Sequence, residues 1–590
     1  MRRFIPHKAL SRLSNWLTKN QHSAVIYTFL SGLLLLIVSY IPEIRHALAE
    51  GGFPKQISDT GYWQALFEKH WQTAARHTAH ALLPASAAIA MALVYFRHAG
   101  AQFDSFQTHF FRSHTIICGL STRARLLADD LIRQGSDVVI ISLKHDHNDV
   151  TEQRIKGVAI LHGDACDMDM LKKAGFLHAA QLVCMTDSDE TNISILDVAR
   201  QIAVQQKTSQ GREPEITCYC HIRNTALRAQ LDRVPLMASK SEGTRFRPFN
   251  ADEITAAELL HRFPPERHLP RKQQSDGTHV MLLGNSSLFF SLAMQMAQQC
   301  HYWRENPYDI KLPRTRLSIV APDSVDLLGK LIKQCPAIEQ LLDIQAVQLA
   351  PEGPAIFDEL SQIKSPPVSQ YYIALTDEIS TLAVANTLTR ALQSMGQPTG
   401  DRIIAITPAR LKQIDPTAWS EASAITVLPS YESFKADIIF GKARDQIAME
   451  THQRYLRTTI GLGKRLGDSP ALFEWDGLSE LLRDSNRQQV AHMDIKLRAI
   501  GWPVDTPPIA SREIAGDLLE QLADMEHRRW MAFHYIRGWR HAQTRRDAFL
   551  EHDCLVPYTE LPEEIREYDR NTVREMISAW HISEPAGEPN

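Results

Sequence analysis

The 590-residue chain has no surplus of positive charge: 64 lysines and arginines face 68 acidic residues, for a formal net charge of −4. A general nucleic-acid binder carries a basic footprint. No arginine-rich stripe with interleaved aromatics supplies one, so no nucleic-acid partner is expected. The eight cysteines include no CxxC pair and so lack metal-ligand spacing. Cys218 and Cys220, two apart, share one face of a strand, and the set reads as reduced, buried thiols of a cytoplasmic compartment. His552 with Cys554 lacks two further ligands at short spacing, so no zinc site is expected there. His527 reads as a hydrogen-bonded histidine rather than a metal ligand. Nor does any placed acid, base or nucleophile accompany a substrate domain. A dehydrogenase therefore has little to rest on, and no enzyme activity is expected.

Long apolar runs are also scarce, and both lie near the N-terminus. Residues 24–41 (AVIYTFLSGLLLLIVSYI) carry no charge and are long enough to cross a hydrocarbon core of about 30 Å. No small-residue cleavage site follows, so the run is read as an anchor rather than a signal peptide. The second run, Ala81 to Phe96, spaces Ala81, Ala85, Ala88 and Ala92 for close approach of another helix, and Pro84 marks a kink. Its competing reading is a buried soluble helix. Arg2, Arg3, Lys8, Arg12 and Lys19 precede the first run without an acidic residue, which holds the tail in the cytoplasm.

The expected arrangement is a multi-pass inner (plasma) membrane protein. It has a cytoplasmic basic tail over 1–22, two transmembrane helices with a periplasmic loop within 23–98, and all later domains in the cytoplasm. Two spans cannot line a pore alone, so a homo-oligomer is implied. Two spans with a loop are the layout of a simple potassium channel, but a TVGYG-like filter is missing. The nearest string, Asp59-Thr60-Gly61-Tyr62-Trp63, lacks the valine and second glycine and does not follow the amphipathic piece from Tyr62 to Trp71.

At roughly 150 residues per domain, the length suggests about four units. Past the apolar runs, strands alternate with helices. Residues 114–118 (HTIIC) read as a strand, followed by Gly119-Leu120-Ser121-Thr122-Arg123-Ala124, a helix through Arg133 and a second strand from Asp137 to Ser142. This order sets a phosphate on a helix N-terminus, and the loop matches G-x-G-x-x-G/A with Ser121 at the middle glycine. Further along come VAILHGDA (158–165), QLVCMTDSDETN (181–192) and Arg247-Pro248-Phe249-Asn250-Ala251-Asp252-Glu253.

This ordered set, over roughly 112–260, resembles the regulatory (RCK or TrkA-N) domains of potassium channels and Trk-type potassium transporters. The resemblance implies a doubly wound, Rossmann-like α/β domain with a nucleotide-type ligand, NAD(H) or an adenine nucleotide, at the strand C-termini. It assigns Gly119, Ser121, Arg123 and Ala124 to the phosphate turn, and Asp164, Thr186 and Asp187 to the adenosine side. One departure is that the second strand ends Ser142-Leu143-Lys144 without an acid, with Asp146 beyond it. Lys144 suits a phosphorylated ribose, and a scaffold with lost affinity is the competing reading.

The pattern then repeats over 276–430, with strands at 279–284, 316–320, 344–348, 371–377 and 402–407, and with Thr376-Asp377 answering Thr186-Asp187. In this copy Phe289 replaces the third small residue of the loop Gly284 to Phe289, where it is expected to obstruct packing or ligand. No GD pair follows the third strand, although Asp323 near the second strand leaves a modified site open. The copy reads as structural. Gly119 is thus expected to matter for the ligand and Gly284 for folding.

From about 450 helical, tryptophan-containing sequence takes over. Residues 522–539 (LADMEHRRWMAFHYIRGW), Leu555-Val556-Pro557-Tyr558, Leu561-Pro562 and Asp569-Arg570 resemble the RyR domain, a ligand- or partner-binding module. Glu526, Trp530 and His534 share one helix face. Trp539, Tyr558 and the Arg545/Arg546 pair are expected to complete an aromatic cleft with cationic ends, suited to a stacked base and a phosphate. The bland alternative makes the tryptophans core. The fold class is then α/β: two transmembrane helices, two tandem Rossmann-like domains and a mainly α-helical RyR-like domain over 450–590. Its expected function is that of a ligand-gated, potassium-type channel or transport regulator, with a non-conducting membrane signalling or defence effector as the alternative.

Overall fold

The computed structural model describes residues 104–582, apart from 106, 144–149, 151, 155, 212–213, 225–226, 229–230, 232–243, 270–276, 305–313, 363–365, 408–424, 430–434, 462, 503–513 and 515. The basic tail, both expected spans, the loop between them, Lys144 and Asp146 lie outside the described residues. Among the described residues no helix is long and apolar enough to cross a membrane. The chain forms two compact units, the first ending at Cys218.

In the first unit β1 (Thr115–Cys118) and β2 (Val138–Ser142) are buried along their whole length. Continuous rather than alternating burial is the mark of a parallel strand covered on both faces. β3 (Ala159–His162) and β4 (Gln181–Cys184) complete the parallel order β3-β2-β1-β4. Thr217 N–H donates to Ala180 O at 3.1 Å, where β5 (Ile216–His221) begins. Among the helices that connect these strands are α1 (Thr122–Arg133), α2 (Met168–Lys173) and α3 (Asp189–Gln210). α3 is capped by Ser188, carries Asp189 and Glu190 in its first turn and ends on left-handed Gly211, the expected pairing of charge and caps.

In the second unit β6 (Thr244–Phe249) precedes α4 (Ala251–Arg262), whose N-cap Asn250 accepts from the Asp252 and Glu253 N–H groups. A second parallel sheet follows in the order β12-β11-β10-β7-β8-β9. Its strands are β7 (His279–Leu283), β8 (Arg316–Ala321), β9 (Asp343–Gln348), β10 (Val368–Ile373), β11 (Gly400–Thr407) and β12 (Ile425–Pro429). Both sheets place the first strand beside the second and the fourth, so the duplication seen in the sequence is a duplication of topology.

Helices α5 (Ser287–Gln299), α6 (Ser324–Gln334), α7 (Ile338–Leu341), α8 (Ala355–Gln362) and α9 (Glu378–Ser394) belong to this second α/β copy. Beyond it come α10 (Ala436–Ile439), α11 (Lys442–Gly461), α12 (Glu480–Ala491), α13 (Met493–Ala499), α14 (Asp517–Ile536) and α15 (Glu563–Ile582). One hydrophobic core joins the sheet residues Val280, Leu282 and Leu317 to Leu497, Leu522 and Met525 of these later helices. The helical region is thus packed onto one face of the second copy. Arg528 of α14 donates to Tyr302 O at 2.7 Å across that seam.

Candidate functional site

In the first unit the register pairs Cys118 with Ile141 and Cys184, and Ser142 with His162. The loops bearing Gly119–Ala124, Gly163–Asp164 and Thr186–Asp187 therefore leave one edge of the sheet. This edge includes the point between β1 and β4 where strand order reverses, the place where α/β sheets hold ligands. Gly119 has φ +116°, and a Cβ there would lie 2.6 Å from Met185 O, so only glycine lets the chain turn this close to β4.

Ser121 is the N-cap of α1, its Oγ accepting from Ala124 N–H at 3.3 Å. Ala124 is buried and Arg123 half-buried. Thr186 is stapled to Asn192: its N–H and its Oγ1 each donate to Asn192 Oδ1 at 2.8 Å. Ser188 N–H donates to Thr186 Oγ1 at 3.3 Å, while Asp187 is exposed. Asp164 Oδ1 accepts from Cys166 N–H at 2.9 Å. Burial and the Asp164 charge push the Cys166 thiol up to about 11, which keeps it protonated. The structure thus gathers all seven residues assigned to this crevice, and it gives Ser121, Asp164 and Thr186 local structural bonds as well.

The second copy keeps the turn and changes its surroundings. Gly284 has φ +123°, with a Cβ position 2.4 Å from Ala374 O. Phe289, five residues on as Ala124 is from Gly119, does not obstruct the packing as expected. Its ring is fully buried, edge-on to Phe290 at 5.3 Å, and forms part of the core. Ser286 caps α5 without a side-chain bond. Leu382 stands six residues after Thr376, as Asn192 stands after Thr186, and it is core. Asp323 precedes α6 and makes no cap bond.

In the C-terminal region a groove of about 380 Å³ opens among α11, α12, α14 and α15. Glu526 and Trp530 line it. The other four residues expected in a cleft do not, for separate reasons. Trp539 is buried edge-on to His534 at 5.2 Å. Tyr558 is buried, its hydroxyl donating to Glu520 at 2.9 Å. Arg545 is tied to Asp547 at 2.7 Å, and Arg546 to Glu551. The arginines are thus exposed and engaged with neighbouring acids.

Trp530 is surrounded by imidazoles, stacked on His527 with 5.5 Å between ring centroids and flanked by His534 at 4.2 Å and His552 at 5.0 Å. Burial holds His534 down at about 3, so that ring is neutral. His527 is engaged on both nitrogens, by Val556 O at 2.8 Å and Asp569 at 3.2 Å.

Sequence reasoning missed what holds Glu526. Burial works to raise its carboxyl, but Arg529 and Lys496, each 2.7 Å away, overcome that and hold it at about 2. Arg529 stands within the EHRRW string, but Lys496 lies on α13, where nothing in the sequence links it to the motif. Arg529 also lines the groove, and its Nη1 is buried with no hydrogen-bond partner among the described residues.

Comparison with known proteins places families on both regions. Residues 115–213 match the TrkA-N domain and residues 502–584 match the RyR domain. No curated protein matches the chain. Among solved structures, GsuK bound to ADP is 12% identical over 71% of this chain and 96% of its own, at a TM-score of 0.36. The GsuK channel bound to NAD is 10% identical over 72% and 82%, also at 0.36. A dipicolinate synthase chain from Bacillus halodurans is 12% identical over 56% and 94%, at 0.22. The chain therefore carries a TrkA-N domain on the first Rossmann-like sheet and a RyR domain on its last helices.

Proposed function

We propose that this chain is a ligand-gated protein of the inner membrane, a potassium-type channel or a regulator of ion transport. In this reading NAD(H) or an adenine nucleotide sits in the TrkA-N crevice and acts on the two N-terminal spans of a homo-oligomer. The observation that carries it is the TrkA-N match over the unit in which Gly119, Ser121, Arg123, Ala124, Asp164, Thr186 and Asp187 leave one sheet edge. A phosphate would meet the N-terminus of α1 at Ser121 and Arg123, and the adenosine would lie toward Asp164 and Thr186. The RyR groove is a second ligand site, with Trp530 as the stacking platform beside Glu526.

Potassium flux into proteoliposomes, with and without NAD, NADH, ADP and ATP, tests this reading. A nucleotide-dependent change in flux is the expected result. Nucleotide binding with no flux under any condition would instead leave the alternative, a non-conducting effector, which is consistent with the missing TVGYG-like string. Topology has its own check. A reporter active only in the periplasm should be silent after Arg97 and active near Gly61, and activity at both places ends the two-span arrangement.

A further inference from the structure

The second unit encloses a cavity of about 390 Å³ that the proposed function leaves unused. It opens where β6, α4, α5, α10, α12 and the end of α14 come together, and its walls carry two linked sets of charges. Arg247 on β6 lies 3.1 Å from Asp445, whose other oxygen takes Arg487 at 2.6 Å. Asp484 pairs with Arg537 and lies 3.9 Å from Arg228, which is 3.1 Å from Glu253. None of these side chains is more than 19% exposed.

Four guanidinium groups against three carboxylates leave one positive charge in excess among the residues that line the cavity. Burial pushes the Glu253 carboxyl above its ordinary range, against the pull of Arg228. Arg247 Nε is buried and has no hydrogen-bond partner among the described residues. A buried donor without an acceptor is a costly state. The rest of the wall mixes amides, Gln295, Gln298 and Gln488 among them, with apolar side chains, and the rings of Tyr219 and Phe440 lie 4.7 Å apart along it.

We propose that this cavity binds a small organic anion. Its single phosphate or carboxylate head would be taken by Arg247, and its planar apolar body would lie against Tyr219 and Phe440. The volume falls in the range of small-molecule pockets. Inorganic phosphate would leave the aromatic wall bare, and a neutral aromatic would give Arg247 Nε a weaker bond than an anion does. Arg247 belongs to the strand that precedes the second copy, whereas Arg487 and Arg537 belong to the helices after it. An anion among them ties these two parts of the unit together.

Calorimetry on the full-length protein in detergent tests the site with phenyl phosphate and benzoate, which separate the two head groups, and with benzamide as the neutral counterpart. The expected result is saturable binding of at least one anion and none of benzamide at the same concentration. Arg247→Gln should weaken the anion roughly 10- to 100-fold, the loss of a charge-assisted bond, while Asp445 keeps Arg487 as its partner. Ile438→Trp fills the cavity without touching an arginine, so it should abolish binding with melting preserved, and it decides the matter if Arg247→Gln does not fold. Equal uptake of benzamide, absence of saturable binding by either anion, or binding undiminished in Ile438→Trp overturns the proposal.

Discussion

The two Rossmann-like copies share a turn and differ in what surrounds it. Gly119 and Gly284 have nearly the same φ, and each presses against the carbonyl of the residue following the neighbouring strand, Met185 or Ala374. The first copy adds a serine cap on α1 and a Thr186–Asn192 staple. The second substitutes Phe289 and Leu382, both core. The leading glycine is therefore a requirement of folding in either copy. Whether a crevice stays polar is decided by the cap and the staple.

The strongest way to break that comparison is at the glycines. From sequence, Gly119→Val is expected to weaken ligand binding and Gly284→Val to affect folding, but the geometry makes both folding mutations. A β-branched residue at this φ costs about 1–3 kcal/mol, and the clash with a backbone carbonyl adds about as much again. Denaturant unfolding should show both variants severely destabilised. A Gly119→Val protein that unfolds like wild type but has lost nucleotide binding would restore the original distinction.

Acid weakens the second unit by a similar amount. In the second unit burial lowers His301 and His534 to about 3. Their folded values lie below the ordinary 6.5, so the unfolded chain binds more protons as pH falls. Stability that is full above about 6.5 is then lost as pH falls toward 3, at up to about 1.4 kcal/mol per pH unit for each ring. Glu526, held at about 2, adds loss of the same sign below its ordinary range. Thermal melts between pH 7.5 and 5 should show a steep early fall. His534→Phe should flatten it, and an unchanged slope in that variant counts against His534 as a source.

A smaller effect is expected at the staple. Asn192→Leu makes the first copy resemble the second and strips Thr186 of three bonds, at a cost of about 1–3 kcal/mol. It should also lower adenine-nucleotide affinity in calorimetry, because the Thr186 loop loses its fixed position. Full affinity in a folded Asn192→Leu protein would remove the staple from the candidate site.

Much of this fold is legible in the strand runs. HTIIC, DVVIIS, HVMLLG and RLSIV are short, β-rich and buried on both faces, so their pattern needs no partner to be read. β6 and β12 are harder: TRFRPF interleaves arginine and proline with apolar residues, and ITVLP follows a long stretch without alternation. The residues assigned to the crevice are local in sequence and lie at one edge of the sheet. The expected C-terminal cleft joins residues near one another in sequence, but Trp539 and Tyr558 turn inward and α11 and α12 supply the opposite wall. The arginines of the second unit's cavity come from β6, α12, α14 and the segment before β6, and no spacing rule joins them.

The finest test of the comparison is the pair of cap serines, which occupy the same place two residues after the glycine. Ser121 has φ −67° and ψ 163°, and Ser286 has φ −71° and ψ 169°. Their backbones are alike, but only Ser121 directs its hydroxyl to a helix N–H, that of Ala124 at 3.3 Å. Replacing a bonded N-cap serine by alanine costs about 0.5–2 kcal/mol, and the length of this bond argues for the lower end. Ser121→Ala should therefore shift the unfolding midpoint slightly, whereas Ser286→Ala, with no cap bond to lose, should not. A phosphate at the N-terminus of α1 would draw on the same N–H groups, so added NADH should make up part of the stability lost in Ser121→Ala if the crevice is occupied. Equal midpoints for the two variants, with and without NADH, would mean that the cap does not distinguish the copies and that Phe289 and Leu382 alone carry the difference.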